Sequence, residues 1–459
     1  MKKFYIPIIL IVFLSFIACS KDIIEKDIIV IIPPNVPKMK MHEISDLSVF
    51  SVYLKGELLD KGDSEVTETG IIISTFTNST VNNNFEKIKI ELDSDGKFGG
   101  IYPFLTVGEN TTLYIKCYSI NSQEVGYSNE IEFTTLKNKE FYGDVKLNKQ
   151  SDVINFSKNK YNTINGKLLI EEDVYDLSPL SDLLLVRAGI EISDTSLLKT
   201  LNGLENIIAT GYVEAPRSPQ GLRIENNSGL VSLDGLNSLK RVAGEFYIIN
   251  NNLLETIEGF ENFEAVDAGG LGIYNCDNLK NTNGFDNINF IGDSVTIQSN
   301  NSLTEVSGFN SLIFIDRTIN IVDNNSLKSI SGFDKINIIE QINLESNYNL
   351  VNLDGFKNIE TIEEHISIKS NFSLNDFSAF KNIKELQYLI LFKNSNLTSL
   401  TGLESLMKIK NNIEITNNPL LSDFCALKPL ILTNNYGSYW NVAGNLNNPT
   451  PSEIISDCN

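Results

Sequence analysis

Apolar residues recur two positions apart in short runs that return every ~24 residues from Lys167 toward the C-terminus. One copy shows the pattern well, because Ile319 and Ile321 alternate with polar residues and Gly332 precedes Phe333. Apolar residues two apart line one face of a β-strand, and coils of constant length stack such strands in parallel. The pattern therefore predicts a parallel β-solenoid with a period of about 24 residues.

A glycine ends each copy at a nearly constant spacing. Its positions are Gly203, Gly235, Gly259, Gly284, Gly308, Gly332, Gly355 and Gly402, with Ala379 in one slot. Such a column indicates a backbone angle or a close approach that other residues resist, and Ala379 shows that the requirement is not absolute. The interval from Gly203 to Gly235 is 32 residues. That longer interval predicts an inserted loop within Thr210–Gln220.

A polar column lies three residues after the second apolar position of each strand. Its members are Asn227, Asn251, Cys276, Asn300, Asn324, Asn347, Asn371, Asn394 and Asn418. A small amide buried at the inside of a turn can hydrogen-bond unpaired backbone groups of its own coil and of the next coil. We therefore expect this column to form a structural Asn ladder.

The repeated apolar, Asn, Leu and Gly columns resemble the leucine-rich-repeat superfamily, and within it the receptor L-domain-like β-solenoids, over roughly 290 residues. The consensus of that superfamily allows Cys in the Asn column, as at Cys276. The resemblance implies a right-handed parallel solenoid of leucine-rich-type coils. Two weaker copies at Leu168 and Ile190 bring the number of coils to eleven, which corresponds to a length of ~50 Å.

Ahead of the repeats, short β-rich runs alternate with turn residues, which is typical of an antiparallel β-sandwich. The predicted strands are Val49–Leu54, Thr69–Ser74, Lys87–Leu92, Lys97–Ile101, Thr112–Asn121 and Glu130–Thr135. Residues 113–121, 126–128 and 133–135 resemble the last two strands of a fibronectin type III domain, in which Tyr114 matches the corner tyrosine. The predicted fold class is therefore mainly β, with an antiparallel sandwich followed by the solenoid.

The first residues have the form of a secretory signal, because Lys2 and Lys3 precede an apolar run that ends shortly before Cys19. The run is shorter than the ~20 residues that span a bilayer, so a retained transmembrane helix is the weaker alternative. Residues 16–19 resemble a bacterial lipobox, and residues 20–22 resemble the export tag of Bacteroidetes surface lipoproteins. The resemblance implies a lipid on Cys19 and attachment to the outer membrane at the cell surface.

Cys425 and Cys458 flank the non-repeating segment that follows the coils. In an exported protein such a pair predicts a disulfide, which would stabilise the cap by roughly 3–4 kcal/mol. Cys117 and Cys276 are predicted to be core thiols. The predicted segments are a signal peptide at 1–18, a lipidated tether with a Pro-rich linker at 19–40, a sandwich at 41–136, a linker and N-terminal cap at 137–166, repeats at 167–424 and a C-terminal cap at 425–459.

Composition excludes several classes of function. The net charge is −21, and loss of Lys2 and Lys3 with residues 1–18 makes it −23. Such a chain has no overall electrostatic attraction to nucleic acid or to an anionic lipid surface, so the expected membrane contact is the lipid anchor alone. His42 and His365 are the only histidines, and motifs for nucleophilic, zinc or phosphate chemistry are absent. We predict a protein that is not an enzyme and takes no cofactor or metal; hidden paired carboxylates are the weaker alternative.

Residues that alternate with the core pairs face outward on the broad sheet, which is the usual binding surface of solenoids. The candidate ligand contacts are Tyr247, Ile249, Tyr274, Gln298, Val322, Glu345, Lys369, Ile390 and Phe392. Tyr247, Ile249 and Tyr274 form one apolar cluster, and Ile390 with Phe392 forms another. Ordinary β-propensity is the competing explanation for any one of them. The favoured function is recognition of an extracellular protein or glycan; the alternatives are an envelope spacer without a ligand and an accessory of a carbohydrate-active enzyme.

Overall fold

The structure is a computed structural model that describes residues 35–42, 44, 51–103, 110–122, 124–135, 137–211 and 220–458. Cys19 and the predicted signal lie outside the described residues. The chain divides into two compact units, of which one contains Val52–Tyr102 and Thr111–Thr134 and the other begins its main body at Thr135. Strands dominate both units, which confirms the predicted mainly β fold class. Within the described residues, no helix has the length and apolar character needed to cross a membrane.

The described residues of the first unit form eight strands in antiparallel sheets. They are β1 Lys38–Met41, β2 Ser51–Asp60, β3 Val66–Ser74, β4 Glu86–Lys89, β5 Lys97–Pro103, β6 Thr112–Asn121, β7 Val125–Tyr127 and β8 Ile131–Thr134. One sheet has the order β1-β2-β5, and the other has the order β4-β3-β6-β7 with β8 also paired to β6. Strand β1 therefore begins inside the segment predicted to be a Pro-rich linker.

The two sheets of the first unit pack against each other around an apolar core. The Met41 Sδ atom in β1 lies 3.2 Å from the Cys117 Sγ atom in β6. Burial raises the pKa of the Cys117 thiol to about 12, so this thiol stays protonated. The fully buried tyrosine of β6 is Tyr118, whose hydroxyl donates to Glu68 Oε1 at 2.8 Å, whereas Tyr114 is partly exposed.

The second unit contains the remaining strands and the α-helices of the described chain. The strands are β9 Glu140–Tyr142, β10 Val145–Lys149, β11 Thr163–Asn165, β12 Leu168–Asp173, β13 Leu185–Val186, β14 Ile190–Ser193, β15 Ala209–Thr210, β16 Gln220–Glu225, β17 Arg241–Val242, β18 Glu245–Ile249, β19 Ala265–Val266, β20 Leu271–Tyr274, β21 Phe290–Ile291, β22 Val295–Gln298, β23 Glu305–Val306, β24 Phe314–Ile315, β25 Thr318–Val322, β26 Ser329–Ile330, β27 Ile338–Glu345, β28 Thr361–Lys369, β29 Glu385–Phe392, β30 Lys408–Thr416 and β31 Tyr439–Ala443. The helices are α1 Gln150–Ser157, α2 Lys428–Leu432 and α3 Pro451–Asp457, with short 3₁₀ helices at Ser178–Leu180, Asp354–Phe356, Ser378–Phe380 and Cys425–Leu427.

These strands build a parallel β-solenoid. Thirteen strands from β10 to β31 form the broad sheet in chain order, and eight short strands from β9 to β24 form a second sheet. Pairs such as Ile297 with Ile321 confirm the period of about 24 residues. The solenoid has about 12 turns, because β10 lies in the segment predicted as a linker and β31 lies in the predicted C-terminal cap. The predicted insertion falls between β15 and β16, and its residues 212–219 lie outside the described chain.

Inward residues of successive rungs form one continuous hydrophobic core from Val145 to Cys458. From Gly284 to Ala379, the residue after each member of the glycine column is Phe, and these rings form a nearly parallel stack in the core. Successive centroids are 5.0–6.0 Å apart for Phe285, Phe309, Phe333, Phe356 and Phe380. Offset rings at this spacing attract one another beyond their burial from water.

The Asn column forms a ladder of hydrogen bonds at one corner of the coils. Asn324 shows the arrangement: it is fully buried, and its Nδ2 donates to the carbonyl oxygens of Ile297 at 2.9 Å and Val322 at 3.0 Å. Its Oδ1 accepts from the backbone N–H of Asn300 at 3.1 Å. One side chain therefore satisfies three backbone groups in two successive coils, its own and the preceding one, which burial would otherwise leave unpaired.

The ladder is longer than its nine predicted members. Thr195 starts it by donating its hydroxyl to the first Asn of the column at 2.7 Å, and Asn445 extends it by accepting from the backbone N–H of Asn418 at 3.0 Å. Cys276 replaces the amide with a thiol, whose Sγ atom lies 3.5 Å from the carbonyl oxygen of Tyr274. Burial raises the pKa of the Cys276 thiol to about 12, so the thiol is neutral and contributes only a weak hydrogen bond.

A left-handed backbone conformation recurs at one corner of the coils, and from Asp194 to Asn417 it falls on the residue just before each ladder position. The φ angle lies between 53° and 58° at Glu172, Asp194, Asn226, Asn250, Asn275, Ser299, Asp323, Ser346, Ser370, Lys393 and Asn417. Asn and Asp adopt this conformation at the smallest cost among residues with a Cβ atom, and they supply more than half of the column. At this corner the backbone of each coil turns, so that the side chain of the following residue points into the ladder.

The glycine column combines two turn geometries. Gly235 has a φ angle of 119°, and a Cβ atom there would lie 2.1 Å from backbone atoms of the preceding coil. Gly355 lies in a 3₁₀ helix without a positive φ angle, and an added Cβ atom would meet nothing closer than 3.1 Å. Ala379 occupies the same place in the next 3₁₀ helix. The column therefore accepts Ala where the turn becomes a 3₁₀ helix.

The C-terminal cap covers the core beyond the last full coils. A disulfide joins Cys425 to Cys458 with their Cα atoms 5.4 Å apart. Between them, Ile454 of α3 is buried, and the Trp440 Nε1 atom donates to the carbonyl oxygen of Pro449 at 3.2 Å. The cap thus combines apolar burial with a covalent link at the end of the chain.

Candidate binding surface

The outward face of the broad sheet is organised in columns, because its parallel rungs are in register. One column contains, in order, Ile249, Tyr274, Gln298, Val322, Glu345, Lys369 and Phe392. Tyr247 and Ile390 lie in the column beside it, and all nine predicted contacts are partly exposed. The rungs are ~4.8 Å apart, so the two predicted apolar clusters are separated by about 29 Å. The two clusters are therefore separate candidate sites on the same face of the sheet.

The cluster of Tyr247, Ile249 and Tyr274 contains a perpendicular pair of aromatic rings. The Tyr247 and Tyr274 centroids are 5.9 Å apart, and the ring planes meet at 79°. A Cβ atom added to Gly272 would lie 2.3 Å from Tyr274 Cε2 and 2.8 Å from Tyr247 Cδ1. The two rings therefore occupy the space that a side chain at Gly272 would need, so this glycine fixes where the rings lie.

Arg223 borders the aromatic pair on the preceding rung. Its guanidinium carbon lies 5.9 Å from the Tyr247 ring centroid, and its Nε donates to the carboxylate of Glu225. This hydrogen bond holds the pKa of Arg223 above its ordinary value. Burial raises the pKa values of Tyr247 and Tyr274, so both hydroxyl groups remain protonated donors at neutral pH.

A depression of about 130 Å³ opens on the sheet beside Tyr247. Its lining residues are Lys167, Gly189, Ile190, Glu191, Gly221, Leu222, Arg223, Glu245 and Tyr247. The charged side chains and Tyr247 surround the depression, and Gly189 and Gly221 contribute to its base. Among the described residues, Glu191, Glu245 and Lys167 take part in no ion pair, whereas Arg223 is paired with Glu225. The Glu245 carboxylate accepts a hydrogen bond from the Tyr247 hydroxyl. The depression therefore presents two carboxylates and an amine beside an aromatic ring.

The sequence prediction missed the depression, because its residues come from the first, weakly repeating coils. Glu191 alternates with the buried Ile190 and Ile192, and that alternation was the available signal. Because the inserted loop before β16 interrupts the period, the sequence did not show that Gly189 and Gly221 lie on neighbouring rungs of the broad sheet. We found no group of three or more His, Cys, Asp or Glu side chains able to hold a metal ion within the described ranges.

The second predicted cluster is less open. Phe392 has the Lys393 Nζ atom 4.9 Å from its ring centroid and pairs across the sheet with Lys369 on the preceding rung. Ile390 pairs across the sheet with Ser367 on the preceding rung, and Ser367 is almost completely buried. A cation faces an aromatic ring in both clusters, but only the first cluster combines a perpendicular ring pair with an adjoining depression, so we place the candidate site there.

No protein-family model and no curated protein sequence matches the chain. Function is therefore inferred from the surface itself.

Proposed function

We propose that this protein is a non-catalytic, lipid-anchored binding protein of the bacterial outer membrane, which recognises an extracellular protein or glycan through the broad sheet of its solenoid. The Tyr247–Tyr274 pair is the observation that carries the proposal. Its rings are half-buried, fixed in place by Gly272 and bordered by Arg223. Rigid Tyr and Arg side chains are the residues that most often dominate binding energy at interfaces.

The sequence supports the location and the finer fold assignments. Residues 1–19 have the pattern of a lipoprotein signal, and residues 20–22 have that of a surface-export tag. We interpret the N-terminal unit as a fibronectin type III-like module and the solenoid as a receptor L-domain-like array. Both are common as spacers and interaction platforms, which suits a protein held at a cell surface.

Binding of the purified full chain to panels of matrix proteins and glycans tests the function. The double variant Tyr247→Ala/Tyr274→Ala is expected to weaken binding by about 30-fold or more, as for hot-spot residues. The matched control is Tyr348→Ala/Phe372→Ala, which removes an exposed pair of stacked rings, 4.8 Å apart, at a turn of the coils. Equal binding by both variants and the wild type would refute the contact surface. Absence of any ligand would favour the envelope spacer.

The location has its own test on intact cells. Protease treatment is expected to remove the solenoid from the cell surface, and Cys19→Ser is expected to abolish incorporation of labelled fatty acid. Complete protection of the wild-type chain from protease would instead place it in the periplasm.

A further inference from the structure

We infer that the depression beside Tyr247 binds a single neutral sugar ring through two adjacent hydroxyl groups. The inference rests on the proposed function and narrows its ligand from a protein or glycan to a pyranose unit. The shape, the hydrogen-bonding groups, the aromatic wall and the charge of the site each support it.

The shape suits a small ring. Gly189 and Gly221 lie on neighbouring rungs and help to line a hollow of about 130 Å³ on the sheet. A Cβ atom added to Gly221 would lie 2.3 Å from Val242 Cγ1, so Gly221 lines the hollow with its backbone. A helix or a folded loop of a partner protein is far larger than this hollow, whereas one six-membered ring with its hydroxyl groups can enter it. Because Lys167 and Glu245 stand at opposite sides of the glycines, the hollow ends after two rungs.

The polar groups suit hydroxyl groups. The Glu191 and Glu245 carboxylates take part in no ion pair among the described residues. Glu191 has two oxygens that can accept from neighbouring hydroxyls, and Glu245 has one oxygen besides the one that accepts from the Tyr247 hydroxyl. Lys167 and the remaining N–H groups of Arg223 can donate in return. Hydroxyls both donate and accept, so one polyol ring can satisfy all four side chains.

The wall suits the carbon skeleton of the ring. The Tyr247 ring stands at the border of the hollow, and the Arg223 guanidinium carbon lies 5.9 Å from its centroid. The exposed part of the ring face beside Arg223 carries the negative part of the aromatic quadrupole. The C–H groups of a pyranose are weakly positive and apolar, so they pack favourably on such a face. Gly272 and Tyr274 hold Tyr247 from the other side, which limits the conformational entropy lost on binding.

The charges disfavour an ionic ligand. Lys167 and Arg223 oppose a cation, while Glu191 and Glu245 oppose an anion in a chain whose net charge is −21. Both signs lie within one small site, so neither kind of ion gains a net attraction. A neutral ligand gains charge-assisted hydrogen bonds without that conflict.

The test uses the purified full chain and immobilised neutral hexoses, hexosamines, hexuronic acids and sialic acid, with free methyl hexopyranosides as competitors. We expect a neutral sugar to bind, a free hexopyranoside to compete, and the dissociation constant to change less than ~2-fold between low and high salt. Glu191→Gln and Glu245→Gln are each expected to weaken binding about tenfold or more, because both remove a charged acceptor.

The matched control is Glu414→Gln, which changes a carboxylate on the same sheet face in β30 and is expected to leave sugar binding unchanged. Far-UV circular dichroism and melting temperature establish that each variant is folded. Binding of charged sugars alone, loss of binding in high salt, or wild-type affinity in both glutamine variants would overturn the inference. Binding of glycan polymers that no free hexopyranoside inhibits would also overturn it, because the site would then not be a single-ring site.

Failure of the sugar inference is distinguishable from failure of the proposed function. If Tyr247→Ala/Tyr274→Ala abolishes capture of a protein ligand but no sugar competes, the sugar inference fails and the binding surface stands. If that double variant changes nothing, the proposed surface fails together with the inference.

Discussion

The inner corner and the outer sheet face of the solenoid differ in how strictly their residues repeat. At the inner corner, eight of the nine predicted ladder residues are Asn, and successive rungs make the same bonds. On the outer face, the column of Tyr247 continues as Gly272, Thr296 and Asn320. Buried polar groups must be paired, whereas outward groups can bond to water. Residues that repeat from coil to coil therefore indicate a structural role, and residues that break the repeat on the outer face indicate candidate binding sites.

The largest effect on stability is expected at the ladder. Asn324→Ala removes the donors to two carbonyl groups and the acceptor for one backbone N–H, so we expect the free energy of unfolding to fall by about 3–6 kcal/mol. Urea denaturation followed by circular dichroism measures it. The control, Asn325→Ala, changes the exposed neighbour and is expected to stay within ~0.5 kcal/mol of the wild type. Equal losses at both positions would mean that burial of the ladder amide is not the cause of the loss.

The next largest effect is expected at the cap. Replacing both Cys425 and Cys458 with Ala removes a link across 33 residues and is expected to cost roughly 3–4 kcal/mol. Reduction of the wild type should reproduce the loss in a denaturation curve. The same reductant should not change the double variant, because Cys117 and Cys276 are buried free thiols. An unchanged curve for reduced wild-type protein would show that apolar burial alone holds the cap.

The same substitution can be compared at two members of the glycine column that differ in turn geometry. Gly235→Ala forces a strained φ angle and a contact with the preceding coil, so we expect a loss of about 2–3 kcal/mol. Gly355→Ala is expected to change stability by less than ~1 kcal/mol, because its 3₁₀ turn matches the one that contains Ala379. Thermal and urea unfolding of both variants decide the matter. Similar losses at the two sites would mean that the turn geometry is not the cause.

The smallest effect is expected at the irregular ladder position. Cys276→Asn restores an amide donor and acceptor at a rung that now has a thiol, and it is expected to raise the free energy of unfolding by ~1 kcal/mol. Cys276→Ala is the control, since it removes the thiol without supplying an amide and should give no gain. A loss of stability in the Asn variant would indicate that local packing has adapted to sulfur.

The sequence was sufficient for the coil architecture because each coil repeats the same physical requirement. Paired apolar residues, the Asn ladder and the glycine turns each recur at nearly constant spacing, so nine copies reinforce one interpretation. The first rung, β10, was not predicted, because α1 follows it where later coils have short turns. The left-handed column was missed because five residue types fill it.

The candidate site was predictable only in part. Tyr247 and Tyr274 could be assigned to the outer face from the alternation of strand residues. Their perpendicular contact could not be predicted, because it depends on the space above Gly272. The neighbouring hollow depends on how β14, which follows Gly189, pairs with β16 across the inserted loop. The constant period of the repeats does not predict that pairing.

The position of Tyr247 on the fifth of thirteen rungs has a mechanical consequence. If the chain is anchored at its N-terminus and holds a ligand on Tyr247 and Tyr274, as proposed, tension between anchor and ligand crosses the rungs from β10 to β20. The coils from β22 to β31 would then lie outside that path and carry no tension. Thermal fraying at the far end of the solenoid would leave the contact surface intact.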